Sequence, residues 1–355
     1  MNNLVRKSVA RLAPYCPPLS GRRAYRGFLL DFNERTEPYG QVVDAALVKF
    51  VAENRLQCYP EYGDVNQLVA QYAGVKAENI LLSNGSDQAI DLIFRAFAGE
   101  GDKVIIPSPS FAMFYQCAGV NGNEVLTPQY DRASGAFPLQ AVLDVVDESV
   151  KLIVVCNPNN PTATLLSVAD IRRILDVAKK AVVLVDEAYV EYSGESATSL
   201  LSSYPNLIIT RTFSKAFGLA ALRVGYVVAA SAVIDELIKI RGPYDVNMVA
   251  LAAVRAVLSN LEPLRVYVRE VMMVSKPLVE NFFTDNKIFF YPSVADFILF
   301  RPVNPEKVFM TLKDNGFLLR PRRGYGFDGT LRLSFGTAVQ TRQFIEVYKK
   351  VCLNN

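Results

Sequence analysis

Residues 207–229 read LIITRTFSKAFGLAALRVGYVVA, and this stretch decides the fold. Its two apolar runs, 207–210 and 224–229, are predicted to be buried strands. Between them lies Lys215, which follows Ser214 and precedes Arg223 by eight positions. An amine, a hydroxyl and a cation at one strand end suit an aldehyde cofactor that carries a phosphate, because the amine can form a Schiff base while Ser214 and Arg223 hold the phosphate. The alternative is an exposed loop lysine with an unrelated arginine.

Similar apolar runs upstream extend this pattern into a sheet. They are predicted strands at 80–83, 103–106, 151–156 and 181–185. Segments with helical spacing separate several of them, such as 168–179 and 86–98, where Ser86 is the predicted N-cap. Continuous apolar strands that alternate with helices indicate an α/β fold with a mostly parallel sheet covered on both faces.

The pattern changes after about residue 245. A long helical stretch at 248–283 leads to predicted strands at 295–301 and 331–335 and to a final helix from residue 341. We therefore predict three parts: an N-terminal arm, residues 1–40, which contributes to the small domain; a large domain, 41–245; and a small α+β domain, 246–355.

Composition excludes several classes of protein. The chain has 355 residues, of which 51% are hydrophobic, enough for a large core, and its formal charge of +3 is too small to indicate nucleic-acid or membrane binding. Because histidine is absent, Ser-His-Asp catalysis and most metal sites are excluded. There is no run of transmembrane length and no Cys-x-x-Cys pair, and because charged residues interrupt the N-terminal segment we expect no secretory signal. We therefore expect a cytoplasmic protein with reduced thiols at five scattered cysteines: Cys16, Cys58, Cys117, Cys156 and Cys352.

Polar residues fall where the predicted strands end, and this is the edge at which open α/β sheets bind ligands. Asn84-Gly85-Ser86-Asp87 precedes a helix whose first N–H groups could bind a phosphate, although a plain turn would use the same residues. Asn157, in a loop stiffened by two prolines, could reach a phenolic oxygen or serve only the turn. Asp186 ends a buried strand, where a carboxylate needs a cation such as a protonated pyridine nitrogen, an ion-pair partner or a helix to cap. Tyr189 could donate a hydrogen bond to a ring oxygen.

Four other residues are candidates with an equally plain structural alternative. Phe111 could stack on a cofactor ring or belong to the core, and Tyr59 is ambiguous by itself. Arg332 begins a predicted inward-facing strand segment, where a guanidinium would bind a carboxylate or phosphate in a bidentate manner unless it is solvated at the strand end. Arg320 stands nearby.

The order of these pieces resembles the fold-type I pyridoxal-phosphate aminotransferases, and within them most closely the histidinol-phosphate aminotransferase family. The resemblance extends from about Pro14 to the C-terminus, and its most specific parts are 186–191 and 211–226. It implies a seven-stranded, mostly parallel sheet in the large domain, a homodimer and the cofactor pyridoxal 5'-phosphate. It also implies a place in histidine biosynthesis, with small-molecule amino donors and 2-oxo acid acceptors.

The resemblance also implies a role for each candidate. Lys215 would form the Schiff base and move the proton between substrate and cofactor, Asp186 would pair with the pyridine nitrogen, and Asn157 and Tyr189 would contact the ring oxygen. The remaining cofactor residues would be Gly85, Ser86, Asp87, Phe111, Ser214, Arg223 and, from the neighbouring subunit, Tyr59. The substrate end would be lined by Arg332, Arg320, Tyr15 and Arg22.

Several positions depart from the family pattern. The motif Asn-Glu-Asn-Pro-Tyr-Gly is stretched to eight residues at 33–40, and alanine stands at Ala163 and Ala221 where glycine is frequent. Asp296 replaces a usual asparagine. These changes spare the cofactor residues but cluster partly near the substrate, so the reaction type follows more firmly than the substrate.

Three functions remain in view. The first is transfer of an amino group from histidinol phosphate to 2-oxoglutarate. The second is a related enzyme, an aromatic-amino-acid aminotransferase or a threonine-phosphate decarboxylase, although the histidine-containing motif of the decarboxylase cannot occur here. The third is a non-catalytic aminotransferase-like domain, against which an intact Lys215 counts.

Overall fold

Helices and strands alternate along the first two thirds of the chain. The computed structural model describes residues 4–53, 55–322, 324 and 327–353. In chain order, its α-helices are α1 (Lys7–Ala10), α2 (Gln41–Ala52), α3 (Val65–Ala73), α4 (Gly85–Phe97), α5 (Ala112–Asn121), α6 (Leu139–Asp144), α7 (Val168–Val177), α8 (Val190–Ser193), α9 (Ser231–Ile240), α10 (Met248–Ser259), α11 (Glu262–Glu270), α12 (Lys276–Asp285), α13 (Pro305–Asp314) and α14 (Ala338–Tyr348). Its strands are β1 (Phe28–Leu29), β2 (Ile80–Ser83), β3 (Lys103–Ile105), β4 (Glu124–Leu126), β5 (Val150–Cys156), β6 (Val182–Asp186), β7 (Leu207–Thr212), β8 (Gly225–Ala229), β9 (Phe289–Phe290), β10 (Phe297–Arg301), β11 (Phe317–Leu318), β12 (Arg320–Arg322) and β13 (Thr330–Ser334).

The described residues form a seven-stranded sheet in the order β2-β8-β7-β6-β5-β3-β4. Only β8 is antiparallel to its neighbours, so the predicted mostly parallel α/β sheet is confirmed. The carboxyl ends of β2, β3, β5, β6 and β7 consequently meet at one edge, together with the beginning of β8. This edge carries the polar residues identified in the sequence.

Both faces of the large sheet are covered, as continuous apolar strands require. Ile153 and Val155 of β5 belong to one hydrophobic cluster, whereas Leu152 and Val154 point into the other. The alternation places helices on each face and leaves the strand ends as the place where a ligand can enter.

A second, four-stranded antiparallel sheet has the order β12-β13-β10-β9. Near it, β1 of the N-terminal segment pairs in parallel with β11, so this segment joins the C-terminal part of the chain. Helix α10 packs against α2 and α3 rather than against the small sheet. The division of the chain at residues 40 and 245 stays a prediction.

Three local predictions need correction. Ser86 is not the N-cap of α4. The helix begins one residue earlier, at Gly85 (φ +73°), so Asn84 is the N-cap. The predicted helical stretch 248–283 consists of α10, α11 and α12, the last two joined by a π-helical turn, Val271–Ser275. The final helix begins at Ala338 rather than at residue 341, since Thr337 and Gln340 form a capping box.

A buried ion pair braces the sheet next to the polar edge. Arg211 of β7 lies 2.8 Å from the carboxylate of Glu187, and their side chains are only 7% and 1% exposed. Glu187 also accepts hydrogen bonds from Ser196 and from the backbone of Ala197. Glu187 therefore has a charged partner and two further hydrogen-bond donors, which indicates a structural role.

Candidate active site

A cavity of about 540 Å³ opens at the polar edge of the large sheet. Eleven of the predicted site residues line it: Tyr15, Ser86, Asp87, Phe111, Asp186, Tyr189, Ser214, Lys215, Arg223, Arg320 and Arg332. Four do not, namely Arg22, Tyr59, Gly85 and Asn157. Side chains from distant parts of the chain therefore converge on one concave site, as a ligand pocket requires.

Lys215 projects into the cavity from the loop after β7. Its Nζ donates a hydrogen bond to the carbonyl oxygen of Phe32 at 2.8 Å. Burial lowers the pKa of this amine, and the negative charge of Asp296 opposes that shift. A lysine held in this way keeps more of the neutral amine, the form that attacks a carbonyl carbon.

Asp186 ends β6 and is 3% exposed. Its Oδ1 accepts a hydrogen bond from the hydroxyl of Thr210 at 2.8 Å, while its Oδ2 lies 4.0 Å from the sulfur of Cys156. Burial raises the pKa of this carboxyl to about 7, although the Thr210 bond acts in the opposite direction. Neither neighbour is a cation, and Asp186 forms no ion pair with the described residues; the charge of Lys215 lowers the pKa but does not offset the effect of burial.

Two glycines shape an anion-binding corner at the beginning of α4. A Cβ at Gly85 would lie 2.6 Å from Nη2 of Arg223, and one at Gly225 would lie 2.7 Å from the backbone nitrogen of Ser86. Ser86, Ser214 and Arg223 all line the cavity here. The first turn of this thirteen-residue helix lies beside a guanidinium and two hydroxyls that line the cavity, and such a set is suited to a phosphate. Gly85 acts by allowing this close approach.

Asp87 stands beside this corner, and its carboxylate lies 2.9 Å from Nη2 of Arg223. The contact orients the guanidinium, which the left-handed backbone of Arg223 (φ 54°) also directs. Asp87 is thus a neighbour of the anion-binding groups, while its own charge would repel an anion.

The opposite wall is aromatic and amide-lined. Phe111 faces the cavity and packs edge-on against Phe114, with ring centroids 5.8 Å apart. The hydroxyl oxygen of Tyr189 accepts hydrogen bonds from Asn33 Nδ2 at 3.0 Å and from Asn160 Nδ2 at 3.4 Å. Its own proton is therefore available to a ligand in the cavity.

The structure contradicts the prediction for Asn157. Its Nδ2 donates to the carbonyl oxygen of Leu166 and its Oδ1 accepts from the N–H of Leu166, at 3.0 and 2.7 Å. The amide is therefore committed to the loop and does not line the cavity. Asn160, three residues further on, lines it instead.

Guanidinium groups crowd the other end of the cavity. Arg332 is 5% exposed and donates from Nη1 to Asn160 Oδ1 and from Nη2 to the carbonyl oxygen of Asp31, both at 2.6 Å. Both acceptors are uncharged, and Nε has no hydrogen-bond partner among the described residues. Arg320 and Arg322 line the same end. Burial lowers the pKa of Arg332 and that of Arg320, as expected for cations that await an anion.

The prediction that Arg22 lines the substrate end also needs correction. Its guanidinium lies 2.8 Å from Asp31 and 2.5 Å from Glu34, and it stacks on Phe32 at 4.2 Å. Phe32 lines the cavity, and the guanidinium of Arg320 lies 5.4 Å from its ring centroid. Arg22 is therefore a neutralised group behind the wall and does not line the substrate end.

Tyr59 lies outside the cavity, on the surface. It is 74% exposed and stacks on Tyr244, with ring centroids 4.3 Å apart. A role in a neighbouring subunit's site stays a prediction.

Arg35 anchors the stretched segment 33–40 to the rest of the structure. Arg35 donates to the carbonyl oxygens of Glu37, Ala216 and Pro263 at 3.0, 3.0 and 3.2 Å. It also stacks on Tyr267 of α11, 4.2 Å from the ring centroid. This residue connects the loop of Lys215 with the helices of the C-terminal part.

Sequence reasoning missed three residues of the site. Asn160 belongs to the same loop as Asn157, and its place directly before Pro161 was the available signal. Arg322 follows Arg320 by two positions, the spacing that puts both side chains on one face of a strand. Asn33, with φ 53°, is the first residue of the stretched motif 33–40, and that position was its available signal.

No group of three or more His, Cys, Asp or Glu side chains that could hold a metal occurs within the described ranges. In the same residues, no helix is long and apolar enough to cross a membrane.

A lysine, an isolated carboxylate and a phosphate corner at the edge of a seven-stranded α/β sheet define the class of protein. The chain belongs to the aminotransferase class I and II family, whose model matches residues 29–347.

The chain can also be compared with individual relatives and solved structures. The chain is similar to the histidinol-phosphate aminotransferase of Symbiobacterium thermophilum, with 34% identity over 97% of this chain and 98% of the relative. Two solved structures share the fold. The histidinol-phosphate aminotransferase of Sinorhizobium meliloti, solved in complex with pyridoxal-5'-phosphate, has a TM-score of 0.87 at 21% identity, covering 99% of this chain and 98% of the other. The L-threonine-O-3-phosphate decarboxylase of Porphyromonas gingivalis has a TM-score of 0.78 at 23% identity, covering 92% and 99%.

Proposed function

We propose that this protein is a pyridoxal-phosphate-dependent transaminase that converts histidinol phosphate and 2-oxoglutarate into imidazole-acetol phosphate and glutamate, a step of histidine biosynthesis. One observation carries the reaction type: the amine of Lys215, the unbalanced carboxylate of Asp186 and the guanidinium of Arg332 line one cavity. The substrate is supported by the similarity to histidinol-phosphate aminotransferases over nearly the whole chain.

The residues present fit pyridoxal phosphate. Asp186 is buried and forms no ion pair with the described residues, and a protonated pyridine nitrogen would balance its charge. The corner of Ser86, Ser214 and Arg223, which Gly85 keeps open, matches a phosphate. When bound, the cofactor supplies an aldehyde carbon and a ring that accepts the electron pair left by the broken Cα–H bond.

The protein side chains would have separate tasks. Asp186 would hold the proton on the ring nitrogen, and Phe111 would pack against the ring face. Tyr189 would donate its hydroxyl proton to the ring oxygen, with Asn160 rather than Asn157 as the amide beside it. Lys215 Nζ would take the proton from the substrate Cα and return it to the cofactor carbon.

Arg332 would bind the negatively charged end of both substrates in turn. The carboxylate of glutamate and the phosphate of histidinol phosphate each suit a guanidinium that is paired only with uncharged oxygens. Tyr15, Arg320 and Arg322 would complete this end of the site.

We further propose a cytoplasmic homodimer. All five cysteines are free, which agrees with a reducing compartment. The exposed stacked pair of Tyr59 and Tyr244 would face a second subunit, where Tyr59 would reach the cofactor phosphate. The measurement is the molar mass in solution, and a strictly monomeric active enzyme would contradict the proposal.

The test of function compares single-turnover rates of the cofactor-loaded protein with histidinol phosphate, phenylalanine and threonine phosphate, while carbon dioxide release is followed with the last. We expect the fastest amino transfer with histidinol phosphate. A tenfold preference for phenylalanine, about 1.4 kcal/mol in transition-state binding, would favour the aromatic enzyme instead.

The matched variants for this test are Lys215→Ala and Lys239→Ala. Lys239 lies on α9, with a side chain 64% exposed. The first change should abolish transamination and the second should leave it intact. Wild-type transamination by Lys215→Ala would show that the mechanism is wrong.

A further inference from the structure

Thr210 contacts the carboxylate of Asp186 without lining the cavity, and the tasks proposed above give it no role. The residue is 0% exposed, and its Oγ1 donates a hydrogen bond to Asp186 Oδ1 at 2.8 Å. Because Asp186 lines the cavity and Thr210 does not, the hydroxyl acts on a ligand there through this carboxylate.

The sheet holds this contact in place from both sides. Cys156 of β5, Asp186 of β6 and Thr210 of β7 are partners in register across three adjacent parallel strands. Their side chains therefore point to the same face of the sheet. The N–H of Asn157 donates to the carbonyl oxygen of Asp186, and the N–H of Glu187 donates to that of Thr210, both at 2.8 Å. Backbone hydrogen bonds thus fix this row of three residues at the end of the strands.

The two carboxylate oxygens of Asp186 consequently have different surroundings. Oδ1 accepts the hydroxyl proton of Thr210 at 2.8 Å, whereas Oδ2 lies 4.0 Å from the sulfur of Cys156, which lines the cavity. A hydroxyl is a strong donor and a thiol is a weak one, so Thr210 determines the plane of the carboxylate. Oδ2 is left with the weaker donor, on the side of a residue that lines the cavity.

A hydrogen bond donated to a carboxylate also favours its ionised form. Burial raises the pKa of Asp186 to about 7, and the hydrogen bond from Thr210 is the strongest influence in the opposite direction. The other titratable groups that face this carboxyl are Asp87 of α4, Glu187, Lys215 and Cys156 of β5. The contact with Thr210 therefore affects both the orientation and the charge of Asp186.

We propose that Thr210 is a positioning residue, whose hydroxyl stabilises the ionised carboxylate of Asp186 and leaves Oδ2 for a protonated ring nitrogen in the cavity. A valine would fill nearly the same volume without the donor, and a serine would keep the donor. The use of Oδ2 rests on the proposed function, whereas the effect of the hydroxyl on the carboxylate does not.

The first experiment uses the cofactor-free protein labelled with 13C at the aspartate side-chain carboxyl carbons. NMR spectra recorded across pH 5–9.5 give the pKa of Asp186, whose signal is identified by its absence from Asp186→Asn. Thr210→Val should raise this pKa by about one unit, because the ionised form loses a hydrogen bond. Thr210→Ser, which keeps the donor, should leave it within about 0.3 unit of wild type.

Thr330→Val is the matched control. Thr330 of β13 is 1% exposed, and its Oγ1 donates at 2.7 Å to the carbonyl oxygen of Phe327. This variant loses a buried hydroxyl hydrogen bond of similar length in the small sheet, so the pKa of Asp186 should stay within about 0.3 unit. Thermal melts verify that each variant is folded. If Thr210→Val does not fold, Thr210→Ala, which also removes the donor, takes its place.

An unchanged pKa of Asp186 in Thr210→Val would overturn the inference. An equal rise in Thr330→Val would overturn it as well, because the loss of any buried hydroxyl would then have the same effect. A rise in Thr210→Ser as large as that in Thr210→Val would show that the donor is not the cause.

The second experiment measures binding of pyridoxal phosphate by equilibrium dialysis at pH 6 and pH 9. At pH 6 the empty site holds Asp186 mostly protonated and the loaded site holds it ionised, so Thr210→Val should bind about tenfold more weakly than wild type. At pH 9 the carboxyl is ionised in both states and the loss cancels, so the two affinities should agree within about twofold. An equal loss at both pH values would indicate a change of shape and refute the role of Thr210.

The inference and the proposed function fail separately. If wild type takes up no cofactor at either pH, the proposed function is wrong, while the NMR titration still decides the effect of Thr210 on the carboxylate. If wild type binds the cofactor and Thr210→Val binds it equally well at pH 6, the positioning role is wrong and the proposed function survives.

Discussion

We predict that the buried carboxylate of Asp186 lowers the stability of the cofactor-free protein and favours binding of the cofactor. In the free protein, Asp186→Asn keeps the hydrogen bond from Thr210, because an amide oxygen accepts as a carboxylate does. It removes a buried negative charge that forms no ion pair with the described residues. We therefore expect the variant to be more stable than wild type when no cofactor is present.

The magnitude follows from the pKa of Asp186, raised from 3.8 to about 7 by burial. A carboxyl that binds its proton more tightly in the folded state loses stability as the pH rises from 3.8 to 7, and each unit corresponds to about 1.4 kcal/mol. The penalty is about 4 kcal/mol at pH 8 and falls below about 2 kcal/mol at pH 5. With an unfolding entropy of roughly 2.1 cal/mol/K per residue, the difference at pH 8 corresponds to about 5 °C in Tm.

Thermal melts of the cofactor-free proteins at pH 5 and pH 8 measure this difference. Asp186→Asn should melt about 5 °C higher at pH 8 and about 2 °C higher at pH 5. Added pyridoxal phosphate should raise the Tm of wild type much more than that of the variant, since a ligand stabilises in proportion to its affinity. Equal melting temperatures at pH 8, or a variant that melts lower, would refute the account of a carboxylate without a partner.

Three further predictions concern other parts of the molecule. Arg332→Leu should reduce kcat/KM at least tenfold in both half-reactions, because a hydrogen bond to a charged group contributes about 1.5–3 kcal/mol; loss in only one half-reaction would contradict the sharing of one guanidinium. Gly85→Ala should weaken pyridoxal phosphate binding in equilibrium dialysis, because its Cβ would meet a guanidinium nitrogen at 2.6 Å, whereas Gly74→Ala, with a similar φ of +72° and open space around it, should not. Arg211→Met should lower the free energy of unfolding in urea by about 3–5 kcal/mol by leaving Glu187 buried alone, and adding Glu187→Leu should restore most of it; equal stability of the single and double variants would count against the buried pair.

The sheet and most of the cavity were predictable because each depends on local pattern. Buried parallel strands require continuous apolar runs, and such runs at 151–156 and 207–210 lie inside β5 and β7. Since parallel strands end at one edge, Asp186 and Lys215 could be expected to meet. This part of the site follows from topology alone.

The predictions for Asn157 and Arg22 failed because each side chain has several possible hydrogen-bond or ion-pair partners. Asn157 and Asn160 share a loop and a residue type, and only the position of Leu166 decides that the first is committed to the backbone. Arg22 appeared free to bind an anion, but Asp31 and Glu34 neutralise it. Such choices depend on distances that spacing along the chain does not encode.

Asp296 illustrates a different limit. The sequence shows that its charge is unusual for the resembling family, yet not whether the carboxylate lies in water or in a wall. At 2% exposure the carboxylate is desolvated, whereas on a surface its charge would be screened.

The fastening of the stretched segment by Arg35 has a consequence for recombination between relatives. A chimera that received the shorter six-residue motif would lose Arg35 and the guanidinium that donates to the carbonyl oxygens of Ala216 and Pro263. Those two acceptors lie far apart in the sequence: Ala216 follows Lys215, and Pro263 belongs to α11. The segment 33–40, the loop of Lys215 and α11 should therefore come from the same parent. In a library of chimeras between relatives, we expect few folded proteins that combine these segments from different parents.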